Sequence, residues 1–337
     1  MAMSAIRIPL STGGPSSEAR RAALGRASDL GFDATRAGEA AIVASELATN
    51  IIQHTGGGEI LIQDAPGSSA TLEVLAIDRG PGIEDVSRAL RDGYSTAGTL
   101  GHGLGSVIRQ SDEFGMFSRR PGGTVALARL TRTRTSIRNG GEFLLAGVCV
   151  ARAGEPVSGD AWMFNWRNTQ GEVMVADGLG HGVAAAEAST EATRAFKSSR
   201  QSSPSALIEE LHLALRPTRG AAVAVASLDL EKETAKFAGL GNIGALILSP
   251  DGKRTILVSQ NGTAGHAARR ISEFSYPFRQ DSILILFSDG LASNWDPAAY
   301  PGLWTYDPAI IAAVLYRDFS RQRDDVTVVV GKTRPPR

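Results

Sequence analysis

The 337-residue chain contains one cysteine, no net charge, no long apolar run, no internal repeat and no low-complexity segment; its 35 basic and 35 acidic residues cancel. Each absence closes a class. The lone thiol, Cys149, can form no internal disulfide and build no cysteine-ligated metal site. Its flanks, Leu144-Leu145-Ala146-Gly147-Val148 and Val150-Ala151, read as a buried strand, so a packed side chain is expected rather than a nucleophile. Balanced charge gives no electrostatic case for nucleic acid or for a membrane surface. With no segment of membrane-spanning length and no signal-peptide pattern, the expectation is a cytoplasmic protein. What is present, 42% hydrophobic and 21% charged residues, is a globular composition, and the length favours two domains.

Composition and breaks suggest helices over 18–30 and 34–52, separated by Gly31-Phe32-Asp33 and ended by Gly56-Gly57-Gly58. Residues 59–64 and 71–78 alternate apolar and polar around Pro66-Gly67, the pattern of an antiparallel pair. Residues 84–100 read as a helix fragment and a loop, 104–111 as a helix, and 114–118 with 123–131 as two strands. The stretch Thr131-Arg132-Thr133-Arg134-Thr135-Ser136 has little apolar content and places a boundary near 136, giving domains 1–135 and 136–337. Beyond it, strand-like runs at 143–151, 161–166, 172–177, 221–229, 234–239, 243–248, 282–288 and 325–330 surround a helix-rich insert over 182–215. Tight turns between several runs fit a β-sandwich flanked by helices better than a parallel βαβ series.

The first domain carries Glu46-Leu47-Ala48-Thr49-Asn50, then Asp78-Arg79-Gly80-Pro81-Gly82-Ile83, then Gly101-His102-Gly103-Leu104-Gly105. Glu46 and Asn50, four apart, share one helix face. Asn50 offers a neutral oxygen of the kind Mg²⁺ accepts, and Glu46 is placed to take a proton from an incoming hydroxyl. Asp78, at a strand end, can accept from an adenine amino group, and Gly80 and Gly82 let the backbone approach the base. Gly101, Gly103 and Gly105 lead toward a helix start, where free amides favour phosphate. Gly-x-Gly-x-Gly alone would mean little; the order of all three elements points to Mg-ATP.

The second domain carries Ser158-Gly159-Asp160, Ala176-Asp177-Gly178, Ser288-Asp289-Gly290 and Arg323-Asp324-Asp325-Val326-Thr327. A lone Asp-Gly is most often a turn. Four aspartates at apolar strand ends instead suit hard divalent ions and a metal-assisted hydrolysis.

On these residues, the stretch Ser45–Asn50 with Asp78–Ile83 resembles the GHKL (histidine-kinase-like) ATPases, and most closely the bacterial anti-sigma and switch serine kinases of the RsbW/RsbT kind. The resemblance implies Glu46 as catalytic base, Asn50 as Mg²⁺ ligand, Asp78 as adenine reader and 93–105 as an ATP lid. It also implies a serine or threonine on a STAS-domain antagonist as substrate. Asp177-Gly178-Leu179-Gly180-His181-Gly182, Gly239-Leu240-Gly241-Asn242, Phe287–Gly290 and Asp324–Thr327 resemble the metal-dependent protein phosphatases, closest to the SpoIIE/RsbX branch. There Asp160 and Asp177 would bind the first metals with the Gly178 carbonyl, and Asp289 and Asp324 the second, in a dinuclear Mn²⁺ or Mg²⁺ centre. Of Asp324 and Asp325, the family pattern favours the first. His181 is a secondary candidate for assisting the leaving group.

The implied fold is α/β with two domains. The first is a GHKL α/β sandwich with a mixed sheet and helices on one face; the second is a PPM-type α-β-β-α sandwich. The implied function is a bifunctional serine kinase and phosphatase acting in partner switching. Rival readings make residues 1–135 an ATP sensor gating the phosphatase, or a docking module. Helix 36–52 and the linker 131–142 are candidate places for a homodimer contact or for coupling between domains, and the sequence gives no ground for choosing.

Overall fold

The computed structural model describes residues 4–11, 16–67, 70–89, 102–134, 143–167, 169–268 and 270–333. The chain divides into two compact units: Ala5–Asn139 with Thr305–Arg317, and Met1–Ser4 with Gly140–Trp304 and Asp318–Arg337. The boundary expected near 136 lies outside the described residues, as do Gly101 and the stretch 90–101 of the expected ATP lid.

The N-terminal unit begins with strand β1 (Ile6–Ser11), helix α1 (Ser17–Asp29) and helix α2 (Ala34–Thr55). Ala19, Ala23 and Ala27 form a buried stripe at four-residue spacing on α1, and small side chains there let it lie close to α2. Asp33 caps α2 by accepting the Arg36 N–H at 2.8 Å, and Gly56 ends it in the left-handed conformation. Strands β2 (Gly57–Asp64) and β3 (Thr71–Asp78), short helix α3 (Val86–Ala89), helix α4 (His102–Gln110), and strands β4 (Glu113–Ser118) and β5 (Thr124–Thr131) follow. The sheet order is β1-β2-β3-β5-β4. Every pairing in it is antiparallel, which corrects the expected mixed sheet. Residues 6–11 form a strand because Ile8 and Leu10 alternate into the core while β1 pairs with β2.

Ile60, Ile62, Leu72, Val74, Ala76, Ala126 and Ala128 pack against α1 and α2. The intervening residues, among them Glu59, Gln63, Glu73 and Arg129, turn to the other face and are nevertheless buried. That face is covered by a helix formed far along the chain.

The C-terminal unit contains β6 (Phe143–Val150), β7 (Asp160–Arg167), β8 (Gln170–Gly178), α5 (Val183–Ser198) and α6 (Pro204–Ala214). It continues with β9 (Ala221–Asp229), β10 (Thr234–Leu240), β11 (Gly244–Leu248), β12 (Arg254–Ile256), β13 (Phe274–Pro277) and β14 (Ile283–Phe287). Helix α7 (Pro308–Phe319) and strand β15 (Val326–Thr333) complete the chain order. Two antiparallel sheets result, β13-β10-β9-β8-β7 and β12-β11-β14-β15-β6. Strand alternation serves both layers: Val173 and Val175 of β8 join the core containing Leu284, Leu286 and Val329, while Met174 and Ala176 join Ala188, Ala192 and Leu211 of α5 and α6.

Within this unit α5 and α6 back the sheet that contains β8 and β9. The remaining helix, α7, is grouped from Pro308 to Arg317 with the N-terminal unit, and each of those residues is buried. Tyr316 Oη donates to Glu59 Oε2 at 3.3 Å, and Asp307, at the head of α7, takes two hydrogen bonds from Arg129 at 2.7 and 2.8 Å. Arg129 also donates to Glu73 at 2.8 Å, and Gln63 closes the network on Glu73 at 2.7 Å. The expectation of helices on one face only is therefore corrected: α1 and α2 cover one face and α7 the other. Among the described residues no helix is long and apolar enough to cross a membrane.

Candidate active sites

In the N-terminal unit, Glu46 and Asn50 project one turn apart from α2, both half-buried. Gly103 lies directly over them: a Cβ there would fall 2.8 Å from Glu46 Oε2 and 3.7 Å from Asn50 Oδ1. Helix α4 begins at His102, so Gly103 and Gly105 sit in its first turn rather than ahead of it. The structure thus brings the α4 N-terminus, with its free amides, onto the carboxylate and the carboxamide.

Asp78 ends β3 and is 6% exposed. Its Oδ1 accepts the N–H groups of Gly80 at 2.8 Å and Thr124 at 3.2 Å. Burial raises its pKa; the two amide donors and the nearby Arg317 guanidinium hold part of that rise back. The loop after Asp78 is built for close approach. A Cβ at Gly80 would fall 2.6 Å from the Thr55 Cβ, and one at Gly82 would collide with the Arg119 carbonyl. Ser118 Oγ accepts the Ile83 N–H at 2.7 Å and lies 2.9 Å from Thr124 Oγ1.

Thr124 and the positive-φ Gly123 before it were missed as site residues from sequence, where they read only as the start of the strand over 123–131. A Cβ on Gly123 would collide with the Asp78 carbonyl. The available signal was chemical: an aspartate fixed at a strand end needs donors, and Gly122-Gly123-Thr124 opens the neighbouring strand. Arg79 also donates to the Arg317 carbonyl in α7.

In the C-terminal unit, Asp160 opens β7 and Asp177 stands opposite it near the end of β8. Asp289 follows β14, and Asp324 and Asp325 precede β15, which pairs with β14 and with β6. The aspartates singled out in this domain thus all stand at or next to strand ends. Asp160 is 3% exposed, and among the described residues neither of its carboxylate oxygens has a hydrogen-bond partner. The Ser288 and Thr327 hydroxyls lie near enough to favour its charge, yet neither makes a hydrogen bond of good geometry with it. Burial first, then Asp325 and Asp289, push its pKa up to about 7. Burial, followed by Asp160, Asp289, Asp324 and Asp325, pushes Asp177 up to about 9. Asp289 is raised by burial and then by Asp324, against the pull of Arg321.

Asp325 plays another part. It accepts the N–H groups of Arg152 at 2.8 Å and Gly159 at 2.9 Å, tying β15 to the Ser158-Gly159-Asp160 turn. Asp324 remains exposed, with Oδ1 on the Asp325 N–H at 2.9 Å. Gly178 pairs with Ala221, and a Cβ on it would collide with the Ala185 carbonyl of α5. His181 Nδ1 lies 2.6 Å from Glu155 Oε1, a partner that sequence reading did not find. Cys149 is buried beneath the turn, its Sγ 3.5 Å from the Asp160 carbonyl, and burial pushes the thiol up to about 12.

Among the described residues, no three Asp, Glu, His or Cys side chains close a coordination sphere by themselves. The residues nonetheless fit divalent cations. A buried carboxylate with two unpartnered oxygens, amid others that raise each other's pKa, is a hard-oxygen donor set of the kind a divalent cation accepts.

Both domains have counterparts among known proteins. Residues 16–130 match the histidine kinase-like ATPase domain, and residues 168–334 match stage II sporulation protein E (SpoIIE). The serine/threonine-protein kinase RsbT of Bacillus subtilis (strain 168) is 41% identical over 104 residues, covering 30% of this chain and 78% of RsbT. The phosphoserine phosphatase RsbX of the same organism is 22% identical over 140 residues, covering 42% of this chain and 70% of RsbX. Among solved structures, a chain from work on the bacterial stressosome aligns at TM-score 0.53 and 26% identity, covering 56% of this chain and 99% of that one. RsbX in complex with magnesium aligns at TM-score 0.50 and 19% identity, covering 57% of this chain and 96% of RsbX, a likeness of fold. The chain belongs to the histidine kinase-like ATPase family through an RsbT-related N-terminal domain, and its C-terminal domain matches SpoIIE and is homologous to RsbX.

Proposed function

We propose that the chain is a bifunctional cytoplasmic enzyme that phosphorylates and dephosphorylates a serine or threonine on a STAS-domain antagonist or a similar partner-switching protein. The observation that carries the kinase half is Glu46 lying against Gly103 at the start of α4, where amides and a proton acceptor meet. In this reading Asp78 accepts from the adenine amino group, and the first turn of α4 faces the phosphates. Asn50 holds Mg²⁺, and Glu46 takes the proton from the attacking hydroxyl.

In the phosphatase half, Asp160, Asp177 and the Gly178 carbonyl would hold one divalent ion, and Asp289 with Asp324 a second. Ions there would supply an activated water and charge neutralisation for hydrolysis. The engagement of Asp325 by two backbone amides supports Asp324 as the ligand of the pair. The chain's own contribution is to hold these carboxylates on rigid strand ends.

A phosphate-transfer assay with ATP and a panel of STAS-domain proteins tests this. Wild type and Asp289→Asn should transfer phosphate, the variant accumulating more product, and Glu46→Ala should transfer none. Measurable ATP binding without transfer in any variant would reduce the N-terminal domain to a sensor. One observation favours that second reading. Arg79, next to Asp78, holds the Arg317 carbonyl, and Arg317 lies seven residues ahead of Asp324 in the chain. Nucleotide at Asp78 would then bear on the phosphatase through α7.

A further inference from the structure

The motif Gly239-Leu240-Gly241-Asn242 resembles the phosphatase family but has no role in the account so far. It forms the turn from β10 into β11, and its surroundings leave little freedom. Gly241 has φ +107°, and a Cβ on it would fall 2.5 Å from the Ala222 Cβ. Its N–H donates to the Gln260 carbonyl at 2.8 Å, and the Gln260 N–H donates to the Gly239 carbonyl at 2.9 Å. Ser259 Oγ donates to the Ile243 carbonyl at 3.0 Å, just past the turn. The backbone is thus gripped by 259–260 on one side and β9 on the other. Asn242 projects from it, exposed, and its Nδ2 donates to Asp289 Oδ2 at 2.6 Å. The register of β11 on β14, with Gly244 opposite Phe287, brings the two residues together.

The aspartates of the site therefore differ in what their oxygens have left to offer. Asp160 has two unpartnered oxygens, Asp325 gives both to backbone amides, and Asp289 is intermediate. Asn242 occupies Asp289 Oδ2, and Oδ1 accepts no hydrogen bond among the described residues. A carboxamide is suited to this, because it blocks one oxygen without cancelling the charge, as a lysine would.

We propose that Asn242 is a positioning residue that makes Asp289 a one-oxygen ligand and so biases the site toward small six-coordinate cations over Ca²⁺. Mg²⁺ requires near-octahedral geometry and short bonds, whereas Ca²⁺ takes six to eight oxygens and readily uses both oxygens of a carboxylate. Denying the second oxygen penalises Ca²⁺ most. The inference rests on the reading of Asp289 as a cation ligand.

The test is calorimetric titration of the metal-free full chain with Mn²⁺ and, separately, Ca²⁺, alongside phosphatase rates with Ca²⁺ as competitor. Wild type, Asn242→Ala, Asn242→Gln and Asp289→Asn are compared. In Asn242→Ala the preference for Mn²⁺ over Ca²⁺ should narrow by about an order of magnitude, the scale of one charge-assisted hydrogen bond. Ca²⁺ should become the stronger inhibitor in the same variant. Asn242→Gln, which keeps the amide donor, should recover part of the preference. An unchanged ratio in Asn242→Ala, with Mn²⁺ affinity lost in Asp289→Asn, overturns the role of Asn242 alone. Equal weakening of both cations in Asn242→Ala also overturns it, since general support of the turn would do that. Mn²⁺ affinity unchanged in Asp289→Asn removes the reading of Asp289 itself, and the proposal with it.

Discussion

Asp160 and Asp177 face each other across the β7–β8 ladder, where directly opposed like charges are unfavourable, and Asp289 and Asp324 add to the same field. Each of these carboxyls opposes the ionisation of its neighbours. Asp177, half-buried and so able to hydrate a replacement amide, is the position at which relief is measurable. Asp177→Asn should stabilise the metal-free protein by roughly 1–2 kcal/mol, a size common where function opposes stability, and should abolish the rise in melting temperature on adding Mn²⁺. A metal-free variant melting below wild type would contradict this account of the cluster. In the other unit, Gly123 is the residue whose backbone allows Thr124 to reach Asp78. Gly123→Ala combines a positive-φ penalty with a collision at the Asp78 carbonyl. It should cost about 1–3 kcal/mol and weaken ATP binding, both readable by melting with and without nucleotide.

Among the elements, α2 and β3 were legible because their patterns are local. Glu46 and Asn50 fall at helical spacing, and Asp78 precedes a glycine turn. The carboxylate ends of β7, β8, β14 and β15 were legible for the same reason. Helix α7 was not. Pro308-Ala309-Ile310-Ile311-Ala312-Ala313-Val314-Leu315 has neither a polar face nor strict alternation, so periodicity gives no direction to it. The face it covers misled in the opposite sense, since Glu59, Gln63, Glu73 and Arg129 alternate with apolar residues as a solvent-facing set would. Only tertiary pairing buries them. Arg129 is the centre of that pairing, and losing it strands Glu73, which is fully buried and whose pKa burial already raises. Arg129→Ala should therefore destabilise the N-terminal unit by about 3–5 kcal/mol. The double variant Arg129→Met with Glu73→Gln should recover much of the loss in denaturant melts, because it leaves no buried charge alone.

At the scale of the whole molecule, the N-terminal unit is discontinuous: among the described residues, five strands and four helices come from one end of the sequence and its second helical cover from residues 305–317. A fragment comprising residues 1–139 should expose the Glu73–Arg129 face and fail to give a cooperative unfolding transition. The same fragment joined through a flexible linker to residues 305–317 should regain one. Equal cooperativity in both fragments would show that α7 is dispensable to the sheet. Fusion of two enzymes is commonly pictured as beads on a string, and here one bead borrows from the other. The loan also has a schedule. Domains fold as their residues emerge during synthesis, and strands β1–β5 keep one face bare until the phosphatase sandwich, all but β15, has been made. A ribosome thus never releases a finished ATPase domain ahead of the phosphatase encoded on the same chain.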